Sequence, residues 1–234
     1  MSSISDNLQA VHQAITTAAG TVSRDVHAVK LLAVSKTFGI DAVIEAAAAG
    51  QRAFGENYVQ EAVDKISAAK TQEPTLDLEW HFIGPIQSNK TRLIAEHFDW
   101  VHSVDREKIA RRLSEQRPSN LPPLNLCLQV NSSGEASKSG VSIDEAVAVA
   151  QAISTLPNVR LRGLMAIPEP TDDVGLQRAA FAQIRHLFDQ CIGAGLPMDT
   201  LSMGMSADLG AAIAEGATIV RVGSAIFGKR DYAK

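Results

Sequence analysis

The chain has little with which to brace itself covalently or to hold a polyanion. Only two of its 234 residues are cysteine, Cys127 and Cys191, and they match no CxxC or metal-ligand spacing. That excludes a disulfide framework and a cysteine zinc site, and it reads as two small buried hydrophobes in a reducing, cytoplasmic setting. Cationic excess is also missing: 22 Lys and Arg stand against 26 Asp and Glu, a net charge of −4. Neither nucleic acid nor an anionic membrane surface would meet a basic field here. No apolar run reaches the ~20 residues of a membrane-spanning helix. The opening stretch MSSISDNLQAVHQAI lacks the positive flank and continuous apolar segment of a signal peptide. Low-complexity tracts and literal repeats are absent too.

What is present is ordinary globular material, 45% hydrophobic and 21% charged, in a chain long enough to bury a core without staples. One domain spanning residues 1–234 is expected. Ile4, Leu8, Val11 and Ile15 fall on one helical face, which predicts a leading amphipathic helix within residues 1–20. After it, short β-branched runs alternate with Ala-rich stretches of helical spacing. The runs are KLLAVSK (30–36), RAFGEN (52–57), EWHFIG (79–84), WVHSVD (100–105), NLCLQVN (125–131), RLRGLMAI (160–167), TLSMGMS (200–206) and TIVRVGS (218–224). Eight strands, each but the last followed by a helix before the next, is the count of a single α/β (β/α)8 TIM barrel with an extra N-terminal helix. An open doubly wound sheet has the same periodicity and stands as the rival. The Pro-rich RPSNLPPLN (117–125) reads as a long helix-to-strand loop, because the alternation continues on both sides of it.

In such barrels chemistry sits where strands hand over to the following loops. Lys36 ends the first run and Asn57 the second; His81 stands within the third. Asn131 ends the fifth and Ser206 the seventh, while Arg221, Gly223 and Ser224 lie along the eighth. Alternation puts Leu32, Val34 and Lys36 on one face, so if that face points inward, Lys36 opens into the mouth. An ammonium close to apolar walls loses hydration, its pKa falls, and the free amine can condense with an aldehyde. A lysine snorkelling to solvent is the plain alternative. SMGMSAD and RVGSAIFG offer glycines that admit an anion to the backbone and hydroxyls that donate to it, at the strands where barrels often hold phosphate. Such small residues also serve tight turns. Arg221 shares parity with Gly223 and needs an acceptor, which a pyridine nitrogen or a barrel carboxylate such as Glu56 could supply. An amine, an anion cradle and an arginine between them match a flat ring bearing an aldehyde and a phosphate, pyridoxal 5′-phosphate (PLP).

The segments LLAVSKTF, FGENYVQE, EWHFIGPIQSNK, SKSG, LRGLMAIP, LSMGMSAD and VRVGSAIFG resemble, in order and over essentially the whole chain, the YggS/PROSC family of PLP-binding homeostasis proteins. The resemblance implies the barrel of fold-type III PLP enzymes, the alanine racemase type, standing alone. It implies PLP as an internal aldimine on Lys36, a phosphate held by Ser206, Gly223 and Ser224, Arg221 facing the ring nitrogen, and Asn57 in the pocket. Ser224 stands where relatives often carry Thr; either hydroxyl can donate. Racemases add a C-terminal β-domain with a catalytic tyrosine across a dimer interface. Here the chain stops about ten residues after Ser224, so a monomer without that domain is expected. An arginine opposite the ring nitrogen also makes the cofactor a poorer electron sink. The expectation is a PLP carrier acting in vitamin B6 homeostasis with no turnover of its own, serving PLP-dependent apo-enzymes. The alternatives are a racemase-like fold-type III enzyme and a Schiff-base aldolase.

Other groupings carry less. GEASKSG (134–140) lacks the second glycine before the lysine of a phosphate loop, but Lys138 offers a second amine near the mouth. His97, Asp99 and His102 have no metal-ligand spacing, and no metal is expected. His81 and His102 could be bases at the mouth or histidines satisfied within the packing. REKIARRLSEQ reads as a solvated helix face.

Overall fold

Ser3 caps the first helix: its hydroxyl accepts from the Asp6 N–H while the Asp6 carboxylate accepts from the Ser3 N–H, a reciprocal capping box. That helix, α1 (Ile4–Thr21), buries Leu8, Val11, Ile15 and Ala19, the face that the sequence pattern marks. The computed structural model describes residues 3–133 and 139–228. Lys138 therefore lies outside the described residues.

Beyond α1 the strands and helices alternate as β1 (Lys30–Val34), α2 (Ile40–Ala48), β2 (Ala53–Glu56), α3 (Val59–Gln72), β3 (Glu79–Phe82), α4 (Thr91–His97), β4 (Trp100–Val104) and α5 (Glu107–Gln116). The second half is β5 (Leu124–Val130), α6 (Ile143–Ser154), β6 (Val159–Ala166), α7 (Val174–Gly193), β7 (Thr200–Ser202), α8 (Leu209–Ala214), β8 (Ile219–Val222) and α9 (Ser224–Phe227). The strands form one closed barrel in the order β1 to β8, all pairs parallel, and β8 returns to β1 with Leu32 beside Arg221 and Ala33 beside Val222. Closure rules out the open doubly wound sheet. The Pro-rich stretch lies between α5 and β5 as a loop, and α1 packs on α8, α9 and α2, across the seam where the barrel closes.

Alternation along each strand divides the core in two. Outward residues, among them Leu31, Ala33, Phe54, Phe82, Val101, Leu126, Leu164 and Val220, join the helices in one large apolar cluster. Inward residues form small groups: Leu32, Ala53 and Ile219 with Ile83, and Trp100, Cys127 and Met165. Large apolar side chains buried in the outer layer contribute about 1.5–3 kcal/mol each. Both cysteines are buried and free, and burial pushes the Cys127 thiol up to about 12. No helix among the described residues is long and apolar enough to cross a membrane.

The strands are shorter than the sequence runs at their C-terminal ends. β1 stops at Val34, β2 at Glu56, β7 at Ser202 and β8 at Val222. Lys36, Asn57, Ser206, Gly223 and Ser224 therefore sit just past strand ends, where the chain has already turned into the loops.

Candidate functional site

Parallel register places these loops together. Val34 is opposite Gly55, so Lys36 and Asn57, each two residues further on, lie side by side past the ends of β1 and β2. On the other flank Gly223 follows Val222, which is opposite Ala33. A side chain at Gly223 would come within 3.2 Å of the Val34 carbonyl oxygen; glycine lets the β8 backbone run tight against β1. Ser206 belongs to the loop between β7 and α8, whose Met205 N–H is held by the Asp208 carboxylate at 2.6 Å. Phe38, two residues after Lys36, meets Phe227 of α9 with ring centroids 5.2 Å apart. The loops carrying Lys36, Asn57, Ser206, Gly223 and Ser224 thus rim one end of the barrel, and Arg221 reaches up from within it. Ser206 and Ser224 are exposed, whereas Lys36, Asn57 and Gly223 are half-buried and Arg221 is buried.

The turn at Lys36 is clamped from outside the barrel wall. Thr37 has φ 70°, a left-handed conformation that a β-branched residue adopts only under constraint. Its N–H donates to Glu61 Oε1 at 2.7 Å. Lys65, buried on α3, donates to the Ser35 carbonyl at 3.0 Å, to Glu56 Oε1 at 2.6 Å and to Glu61 Oε1 at 3.1 Å. Ser35 Oγ also donates to Glu56 Oε1, at 2.6 Å. Burial raises the Glu56 carboxyl above its ordinary value, and Lys65 and Ser35 pull it back. Glu56 therefore turns outward to Lys65. The carboxylate considered as a partner for Arg221 is on the other side of the wall.

Arg221 is held from inside. Its Nη1 donates to the Ser202 carbonyl at 2.7 Å and to Ser202 Oγ at 2.8 Å, and its Nη2 donates to the Ala166 carbonyl at 3.0 Å. It forms no salt bridge among the described residues, and burial brings its pKa down to about 10. Below Ser202 the polar contacts continue: Ser202 Oγ lies 2.7 Å from His102 Nδ1, and His102 Nε2 lies 2.8 Å from His81 Nδ1. His81 Nε2 meets Glu79 Oε1, which also takes Lys30 Nζ at 2.5 Å. His81 and His102 are therefore not at the mouth. They lie fully buried inside the barrel, each bonded through both ring nitrogens, the packing alternative for strand histidines. Burial keeps both below the ordinary imidazole value. The Trp100 ring stacks on His81 with centroids 5.4 Å apart, and the Arg162 guanidinium lies over the Trp100 ring, 4.8 Å from its centroid.

Asn131 stands just past β5, half-buried, with its Oδ1 accepting from Ser133. His97, Asp99 and His102 do not converge: His97 bonds the Leu93 carbonyl, and Asp99 accepts from the Trp80 N–H. Among the described residues no group of three or more His, Cys, Asp or Glu is placed to hold a metal. Sequence reasoning missed Ser202, Lys65, Glu61 and Glu79. Three of these left a trace: Ser202 shares parity with Gly204 and Ser206, and Glu61 and Lys65 have the i, i+4 spacing of a helix pair.

A closed parallel barrel whose last strand sends an arginine to a mouth rimmed by lysine, asparagine and serine is the class of the alanine racemase N-terminal barrel. The family described as "Alanine racemase, N-terminal domain" matches residues 7–231. An alanine racemase of Corynebacterium glutamicum shares the fold at a TM-score of 0.69 and 17% identity, with 97% of this chain covering 60% of that one. The relationship is narrower than the racemases. A pyridoxal phosphate homeostasis protein of Pseudomonas aeruginosa is 61% identical over 232 residues, 99% of this chain and 98% of that protein. PipY of Synechococcus elongatus, solved with PLP bound, superposes at a TM-score of 0.83 with 38% identity, covering 96% of this chain and 100% of PipY. The chain belongs to the family of pyridoxal phosphate homeostasis proteins.

Proposed function

We propose that this chain binds PLP and acts in PLP homeostasis, with the cofactor carried as a Schiff base on Lys36. The observation that carries the reading is Arg221: a buried cation, with no salt bridge among the described residues, raised to the mouth beside the strand that leads to Lys36. Two further features fit the same group. Asn57 Oδ1 is buried without a hydrogen-bond partner among the described residues, an acceptor set to receive a donor. Gly223, close-packed against Val34, brings the end of β8 beside the strand that leads to Lys36.

When bound, PLP supplies an aldehyde that condenses with a primary amine. The protein's part is to hold and orient. The clamp on Ser35 and Thr37 fixes the turn from which the Lys36 side chain leaves. Arg221, with its Nε–H and one Nη2–H not used on the Ser202 and Ala166 acceptors, presents donors and a positive charge toward a ring nitrogen. That charge disfavours a proton on the nitrogen, and with it the electron demand that amino-acid turnover needs. Ser206 and Ser224 hydroxyls and the Gly223 backbone receive the phosphate. The cofactor-bearing name of the Pseudomonas relative and the PLP in PipY support this reading. A carrier of this kind passes its cofactor to apo-enzymes that depend on it.

The experiment is an absorbance spectrum of the protein reconstituted with PLP. A band near the visible edge, bleached by borohydride and absent in Lys36→Ala, is expected. A protein that reconstitution leaves colourless overturns the reading in favour of a phosphosugar aldolase. Deuterium exchange at Cα of alanine or serine would overturn the carrier role and leave the PLP site standing.

A further inference from the structure

Arg221 heads an unbroken file of polar groups that runs down the barrel interior and ends at the Lys30–Glu79 pair on the opposite end of the strands. The order of hydrogens in that file follows from its lower terminus. An ionised carboxylate only accepts, so Glu79 requires a hydrogen on His81 Nε2. A neutral ring with its hydrogen there has a bare Nδ1, which must accept from His102 Nε2. His102 then has a bare Nδ1, which accepts the Ser202 hydroxyl hydrogen. The Ser202 oxygen is left with lone pairs for Arg221 Nη1, and a guanidinium only donates. The requirement set by Glu79 at one end thus meets the requirement set by Arg221 at the other, with each link supplied with one hydrogen. In the reverse order Glu79 would have to be protonated, or one imidazole charged.

We infer that Ser202, His102 and His81 are positioning residues for Arg221: a one-way hydrogen-bond column that anchors the guanidinium and transmits the charge of Glu79 to the group facing the cofactor ring. The column reaches Arg221 through hydroxyl and neutral imidazole, so it orients the cation without pairing it to a carboxylate. Its members are buried, with His81, His102 and Ser202 all at 0% exposure, so no bulk solvent competes for the links, and aligned bonds in such surroundings reinforce one another. Glu79, although placed at the end away from the mouth, becomes a determinant of how Arg221 acts there. This inference rests on the PLP reading only for what Arg221 faces; the proton order belongs to the protein alone.

Two measurements test it. In ligand-free protein labelled with 15N-histidine, long-range nitrogen–proton correlations at neutral pH should report His81 and His102 as neutral rings with hydrogen on Nε2. A hydrogen on Nδ1 of either ring, or an imidazolium, overturns the column, and this holds whether or not PLP binds. In protein loaded with PLP, Ser202→Ala and Glu79→Gln should each shift the bound cofactor's absorbance maximum and weaken PLP several-fold, with Ser202→Thr restoring the Ser202→Ala loss. Glu79→Gln should also disturb the tautomer signals of both rings. Variants that fold as the parent yet keep its spectrum and PLP affinity overturn the transmission. A parent protein that takes up no PLP overturns the functional reading, while the tautomer result still decides the column.

Discussion

Behind the Lys36 turn, outside the barrel wall, lie an ammonium and two carboxylates; beneath Arg221, inside the wall, lie a hydroxyl and two neutral imidazoles. The outer device works on backbone. It grips the Ser35 carbonyl and the Thr37 N–H and holds Thr37 at φ 70°, a conformation of the kind that costs about 1–3 kcal/mol. Charge-assisted bonds are strong enough to sustain it. The inner device works on a side chain whose charge no carboxylate pairs among the described residues. A carboxylate beside Arg221 would anchor it as firmly, but on the proposed reading it would cancel the field that Arg221 would send toward the ring nitrogen of PLP. Ionic contacts therefore shape the turn, while neutral polar contacts aim the cation.

The contrast can be broken from either side. The largest effect belongs to Lys65→Ala, which leaves the buried Glu56 without its counter-charge; loss of one partner of a buried pair costs about 3–5 kcal/mol, read as a lower urea midpoint. A loss below about 1 kcal/mol would mean that the clamp is not held by charge. Next is Ser202→Ala, which strands a ring nitrogen of His102 and a donor of Arg221 at a cost of about 1–3 kcal/mol in the same assay. Glu61→Ala should cost only about 1 kcal/mol, since the Thr37 N–H loses its acceptor near solvent. It should nevertheless weaken PLP several-fold in a titration, and Glu61→Gln, which keeps an accepting oxygen, should recover it.

The smallest effect is the pH response of the inner device. His81 and His102 lie below the ordinary imidazole value of 6.5 because burial disfavours their cations, despite the attraction of Glu79 for His81, and Lys30 and Arg221 add to the effect on His102. The folded rings bind fewer protons than the unfolded ones. Their contribution is thus complete above 6.5 and is lost as the pH falls toward their lowered folded values. Glu79 is held below its ordinary 4.5 and gives up its share only beneath that value. The melting temperature should fall between about pH 7 and about pH 5, and fall less steeply in His102→Gln. An equal slope in the variant would place the titration elsewhere.

The barrel was legible because eight short β-branched runs alternate with Ala-rich stretches of helical spacing, punctuated by turn residues. The grouping of the rim was legible in part for the same reason: parity along β1 and β8 aligns Lys36 with Leu32 and Gly223 with Arg221, although both strands end just before them. Strand ends were not. Nothing local tells a β-branched Thr37 to turn left-handed; Glu61, twenty-four residues on, does that. The column was also hidden, because His81, His102 and Ser202 meet only through the register of strands far apart in sequence, the last link spanning 100 residues. A histidine read strand by strand shows its parity and not its partner.

The most direct test of the account is where PLP attaches. Reduction of the loaded protein with borohydride, followed by digestion and mass mapping, should find the pyridoxyl mass on the peptide carrying Lys36 and lose it in Lys36→Ala. Label spread over surface lysines, or persisting undiminished elsewhere in Lys36→Ala, would contradict a site built around that turn.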